Sequence, residues 1–253
     1  MTSSRRLSFF LPNTFTALNL ACGFAAVTFA IKGDFYKSCM ILILGGIFDS
    51  VDGRVARMTG TQSSFGEQFD SMSDVVSFGV APAFIMYLHS LNQLGRIGVV
   101  ASFIYLLCGA LRLARFNANI DRVDSNFFQG LPIPGAAIAV IGYIFLTLSY
   151  PLLNDYPAIA AVYTIFYAFL MISNIPFNSF KKSEWIKNHK RWTLFIVFML
   201  LSMLFTYEQI MVVIYISLYV GGSLVYFFIN KGQLADIFKE PESPEDDFHV
   251  QDD

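Results

Sequence analysis

The sequence predicts an all-α integral membrane protein, a polytopic helix bundle of about eight transmembrane helices with both termini in the cytoplasm. Three observations carry that expectation. Mean hydropathy is +0.54 and only 14% of the 253 residues are charged, against roughly 25% in a soluble domain. The apolar residues fall in long unbroken runs instead of alternating, which argues against a membrane β-barrel. The Lys and Arg residues are segregated along the chain.

A helical span needs about 20 apolar residues. The runs lie at 11–31, 36–57, 69–88, 97–116, 132–153, 157–178, 192–207 and 209–229. The first follows Arg5 and Arg6, has no small-residue cleavage site and is succeeded by further spans, so it reads as a retained helix and not a signal peptide. The second and third runs are half polar and the seventh is short, which sets six or seven spans as the lower count. The connections at Asn154–Pro157 and Tyr207–Glu208 are very short and imply antiparallel neighbours. Gly130, Pro132, Pro134 and Gly135 shape the entry to the fifth helix. Residues 1–232 form the membrane domain, and 233–253 form an acidic tail expected to be solvated and disordered.

Threading eight spans from a cytoplasmic N-terminus leaves only Lys32, Lys37 and Arg96 of the 17 Lys and Arg residues outside. That bias sets the orientation. The cluster Lys181, Lys182, Lys187, Lys190 and Arg191 reads as topology and anionic-headgroup contact. Three cysteines, all in apolar stretches, do not make a disulfide framework. The three histidines have no zinc-ligand spacing. No GxxxxGK[ST] motif is present, which disfavours a P-loop ATPase. No nucleic-acid partner is expected.

Asp49, Asp52, Asp70 and Asp74 interrupt this apolar pattern. Carboxylates at the edge of a hydrocarbon slab are costly unless protonated, paired or metal-bound. Spacings of three and four residues put each pair on one face of a helix. Four facing carboxylates repel, and hard divalent cations such as Mg²⁺ or Mn²⁺ neutralise them while leaving sites for phosphate oxygens. Gly53, Ala56 and Gly66 are small and admit a ligand close to the backbone. Arg57 offers a planar fork suited to phosphate. Gly60 to Ser64 form a polar turn between the two helices. Orientation places all four aspartates at the cytoplasmic end of the second and third spans. Taken singly, an Asp at a helix end, an Arg pairing with it or a small packing residue is ordinary. Eight fixed positions in one short stretch are not.

That stretch reads DSVDGRVAR, eight residues, then GEQFDSMSD. In the form DxxDGxxAR…GxxxDxxxD it resembles the signature of the CDP-alcohol phosphatidyltransferases at every fixed position. SDVVSFGVAPAF (73–84), CGALRLARFN (108–117) and FQGLPIPGAA (128–137) are similar to the phosphatidylserine synthase branch. The resemblance covers roughly residues 10–230. It implies transfer of the phosphatidyl group of CDP-diacylglycerol to L-serine, giving phosphatidylserine and CMP. It implies two divalent cations, Mg²⁺ or Mn²⁺, held by Asp49, Asp52, Asp70 and Asp74, with Asp74 also the general base. Asn13, Thr16, Asp52, Gly53, Ala56, Arg57, Ser63 and Gly66 would contact the CDP moiety. It further implies a homodimer in the cell or inner membrane, among membrane lipids, with its active site facing the cytoplasm.

Arg112 and Arg115 share a helix face. They are expected, with Asn117, to hold the serine carboxylate or a lipid phosphate; positive-inside anchoring is the plainer alternative. Glycerol 3-phosphate and an inositol phosphate are competing acceptors within the same reaction class. A cation transporter is the competitor from another class, disfavoured because the acids cluster at one face and no repeat is visible.

Overall fold

A computed structural model describes residues 3–118, 127–178 and 190–229. The acidic tail and Lys181, Lys182 and Lys187 lie outside the described residues. Helices α1 (Ser3–Ile31) and α2 (Phe35–Thr59) form a hairpin through a turn in which Gly33 takes φ 79°. Asp34 caps α2, accepting from the Lys37 amide at 3.2 Å and from Lys37 Nζ at 2.7 Å. The Lys37 ammonium holds this exposed carboxyl below the usual carboxylate range. α1 against α2 is the most extensive helix contact among the described residues. Within it the buried Ser38 hydroxyl donates to the Ala26 carbonyl at 2.7 Å.

α2 ends where Gly60 adopts φ 63° and its N–H returns to the Ala56 carbonyl, a left-handed cap that glycine takes without strain. Ser63 then caps α3 (Ser64–Asp74), its hydroxyl accepting from the Gly66 amide at 3.1 Å. α3 runs through a π-helical turn, Val75–Val80, into α4 (Ala81–His89) as one 26-residue rod. Fully buried Tyr105 donates to the Phe78 carbonyl in that wide turn at 3.2 Å.

The rod lies against α1, and two hydroxyls zip them together. Ser73 Oγ donates to the Thr16 carbonyl at 3.1 Å and Ser77 Oγ to the Asn19 carbonyl at 3.0 Å. Gly23 makes this possible: a Cβ there would lie 2.8 Å from the Ser77 Cα.

α5 (Arg96–Ala118), α6 (Ile133–Ser149) and α7 (Pro157–Ile172) complete the core, where Tyr105, Ile133, Ile144 and Met171 are fully buried. α8 (Lys190–Thr206) and α9 (Glu208–Ile229) follow. α9 packs on α6, whereas the described side chains of α8 are mostly exposed. Such a broad apolar exterior suits lipid contact.

Two expected spans are shorter than read from sequence. The run 132–153 is helical only to Ser149, because Pro151 disfavours helical geometry in the residue before it, and a 3₁₀ turn, Pro151–Asp155, follows. The run 157–178 is helical to Ile172. Pro176 then opens strand β2 (Pro176–Asn178), which pairs antiparallel with β1 (Phe127–Gln129), Phe128 opposite Phe177. Length and composition support four full spans: Pro12–Ile31, Ser64–His89, Arg96–Ala118 and Glu208–Ile229. α2 is as long but carries Asp49, Asp52, Arg54 and Arg57. With the shorter apolar helices Ile133–Ser149, Pro157–Ile172 and Arg191–Leu204, it would supply the rest of an eight-span arrangement.

Candidate active site

α1 packs on both α2 and α3, while α2 and α3 barely touch each other. The chain therefore leaves an open groove with α1 as floor and the polar turn after Gly60 as its end wall. Its volume is about 170 Å³. Pro12, Asn13 and Thr16 form the floor, Asp52, Gly53, Ala56 and Arg57 one wall, and Gly66, Glu67 and Asp70 the other. Thr61, Gln62 and Ser63 close the end. All eight residues expected to contact CDP line this one groove.

The local geometry follows from small residues and short bonds. Arg57 folds back over Gly53, its guanidinium 3.6 Å from where a Cβ on Gly53 would sit. A Cβ on Gly66 would stand 3.3 Å from Ser63 Oγ and 3.4 Å from Asn13 Oδ1, so glycine keeps the two polar groups accessible. Buried Thr16 donates to Asp52 Oδ2 at 2.9 Å, which aims that carboxylate from below.

The other three aspartates converge deeper in the site. One oxygen each from Asp49, Asp70 and Asp74 lies within 4.8 Å of the others, and Asp52 stands outside this set. Asp70 Oδ1 and Asp74 Oδ1 are buried with no hydrogen-bond partner. Among the described residues the one ion pair is Asp34 with Lys37, so no arginine neutralises the cluster. Buried carboxylate oxygens without donors or counterions fit a divalent cation. Asp70 belongs to both cluster and groove, which joins them.

The residues expected at the acceptor side part company. Arg112 is 7% exposed, its Nε has no partner, and its guanidinium lies 5.4 Å from the Phe116 ring centroid. Asp74 and Tyr219 are within its electrostatic reach. Arg115 points elsewhere. Its two terminal nitrogens donate to the carbonyls of Ile172, Ser173 and Gln129 and to Asn174 Oδ1, at 3.1 to 3.2 Å. Those bonds satisfy the end of α7 and tie it to β1. Asn117 donates to Ser71 Oγ at 2.9 Å, fastening the end of α5 to the helix that carries Asp70 and Asp74.

The family model for CDP-alcohol phosphatidyltransferases matches residues 9–173. The chain belongs to that family. The match begins in α1 and closes just after α7, so it takes in every wall of the groove and all four aspartates. A CDP-diacylglycerol–serine O-phosphatidyltransferase of Helicobacter pylori is 36% identical over 223 residues, 88% of this chain and 91% of that one. One from Methanocaldococcus jannaschii is 40% identical over 171 residues, 68% and 75% of the two chains. The archaetidylserine synthase of Methanothermobacter thermautotrophicus is 36% identical over 181 residues, 70% and 74%.

Two elements around this groove were not legible in the motif. Ser73 and Ser77 dock the rod on α1; small polar residues one turn apart in an apolar helix were the available signal. Fully buried Asn19 lies one turn below Thr16, its amide without a partner.

Proposed function

We propose that this integral membrane enzyme transfers the phosphatidyl group of CDP-diacylglycerol to the hydroxyl of L-serine, releasing CMP. One observation carries the reading. Three carboxylates, two of them with an unpartnered buried oxygen, cluster beside a groove that Asp70 also lines, together with every residue the resemblance assigns to CDP. The names of relatives similar over most of the chain support serine as acceptor.

Asp49, Asp70 and Asp74, with Asp52 beside them, would hold divalent cations. Bound there, Mg²⁺ or Mn²⁺ would neutralise pyrophosphate charge and favour departure of CMP. The chain's own residues do the rest. Asn13, Ser63, Gly53 and Gly66 seat the nucleotide against the backbone. Arg57, free of any carboxylate partner, takes phosphate oxygens. Thr16 keeps Asp52 oriented. Asp74 receives the serine hydroxyl proton as the oxygen attacks phosphorus, and the bond to the CMP oxygen breaks. Arg112 supplies the cation for the serine carboxylate, while Arg115 and Asn117 hold the mouth in shape. The groove opens to the cytoplasm, and the enzyme works as a homodimer.

Purified protein with CDP-diacylglycerol and Mn²⁺ tests this when serine, glycerol 3-phosphate and an inositol phosphate are offered in turn. CMP release dependent on serine is expected. Release with glycerol 3-phosphate and none with serine would replace the acceptor. Ion flux without any CMP release would replace the reaction class.

A further inference from the structure

Asn19 is fully buried, and neither its amide nitrogen nor its amide oxygen has a hydrogen-bond partner among the described residues. A side-chain amide carries two donors and an acceptor, and burying it unpaired is costly. Helix register says where this one sits. On α2, Gly45, Asp49 and Asp52 follow at spacings of four and three, so they form one stripe. Both ends of that stripe face α1. Asp52 accepts from Thr16 Oγ at 2.9 Å, and a Cβ on Gly45 would stand 3.1 Å from Asn19 Oδ1. Asp49 lies between them. The rod makes the same passage: Ser73 donates to the Thr16 carbonyl and Ser77 to the Asn19 carbonyl, with Asp74 between these two bonds. Asn19 therefore lies beneath Asp49 and Asp74, about one helical turn or roughly 5.4 Å down, on the side away from the CDP groove. Gly45 admits it, because any side chain there would crowd the amide oxygen and the Cys22 Cβ, 3.0 Å away. Above it, Asp70 Oδ1 and Asp74 Oδ1 are also buried and unpartnered. Orphan donors below and orphan acceptors above are thus offset by a turn. Two hydrogen bonds of about 2.8 Å in series span that offset, the reach of one bridging water.

We propose that Asn19 is a positioning residue for the cation site: its amide holds a buried water that hydrogen-bonds the carboxylates of Asp49 and Asp74 from beneath and fixes their orientation. This rests on the divalent-cation reading of the aspartates and adds the group that supports them. A buried water serves polar groups of this kind, making about three bonds to atoms that otherwise have none. It donates to carboxylate oxygens turned away from the cation and leaves the others free for the metal. An amide suits the place because it supplies donors without adding a fifth negative charge. Ligating carboxylates are commonly held by such hydrogen bonds, and losing one weakens metal binding.

The test compares wild type, Asn19→Thr and Asn19→Val in detergent. The two variants share one shape, and only the first keeps a hydroxyl for the water. Mn²⁺ binding is read without substrate from the paramagnetic resonance signal of the free ion, and the thermal midpoint is read in metal-free buffer. Asn19→Val is expected to bind Mn²⁺ about tenfold more weakly than Asn19→Thr, the scale of a lost support to a metal ligand. Its metal-free midpoint should equal or exceed that of Asn19→Thr, since it buries no polar group. A difference in Mn²⁺ affinity below about threefold overturns the proposal, being too small for such a support. So does a metal-free midpoint in Asn19→Val well below that of Asn19→Thr, which assigns the amide to holding the helices together. Failure of both variants to fold overturns it too, because shape and not hydrogen bonding is then what Asn19 supplies. Wild type that binds no Mn²⁺ defeats the cation reading instead, before any variant is compared.

Discussion

Asp49 and Asp74 come from different helices and bring carboxyl oxygens within 4.8 Å of each other, and two carboxyls that close need a proton or a cation between them. Asp74 has a second, buried oxygen with no partner, so removing its charge and removing its basicity have separable consequences. Asp74→Asn is expected to leave a folded protein that still binds Mn²⁺ and to lower CMP release at least a hundredfold, the scale of a lost general base. Near-normal turnover would remove Asp74 from that role. Asp49→Asn is expected to raise the Mn²⁺ concentration for half-maximal activity roughly tenfold or more. A metal titration superimposable on wild type would take Asp49 out of the cation site. The aspartates were readable from spacing because helical geometry converts i, i+3 and i, i+4 into one face. Arg112 and Arg115 show where that logic stops. Spacing says they share a face, but not that one guanidinium ends among four oxygens of the α7 C-terminus and β1 while the other is left with an unpartnered donor.

At the scale of elements, the four clear spans and the two-helix aspartate motif follow directly from apolar runs and turn residues. The two strands do not. Three residues give no periodic signal, and β1 and β2 find each other across the whole of α6 and α7. The residue that makes their junction possible is Gly130, at φ 76°, where a Cβ would lie 2.2 Å from the Met171 carbonyl. Gly130→Ala therefore combines left-handed strain of about 1 kcal/mol with a backbone clash. It should lower the thermal midpoint in detergent, and a midpoint equal to wild type would mean the junction is not tightly held. The π-helical turn after Asp74 was equally silent in the sequence, since valines and a glycine fit an ordinary apolar helix. The structure shows it in the Ala81 N–H bond to the Val76 carbonyl, five residues back, and the Tyr105 hydroxyl reaches the Phe78 carbonyl within it.

For the whole molecule, orientation rests on charge, because three of 17 cations mark one side. Replacing Cys22, Cys39 and Cys108 by Ala and introducing single cysteines at Lys32 and Thr61 checks it. A membrane-impermeant maleimide is expected to label the Lys32 position in intact cells and the Thr61 position only after permeabilisation. The opposite pattern would invert the enzyme in its membrane. Chelation with EDTA should abolish CMP release, and added Mg²⁺ or Mn²⁺ should restore it; activity that survives chelation would end the metal-site reading. The span count was the less legible part, because α6, α7 and α8 are each shorter than a bilayer's width and only packing decides their depth.

The polar turn between Gly60 and Ser63 has one more consequence. Asp49 stands as far before that turn as Asp74 stands after it, and both are reached along unbroken helix. The two helical arms thus act as a ruler. One residue inserted within either arm would advance its aspartates by 1.5 Å and rotate them by about 100°, off the shared face. One residue inserted at Thr61 or Gln62 would merely lengthen the bend. Length is therefore free to drift at the tip and is locked on both sides of it.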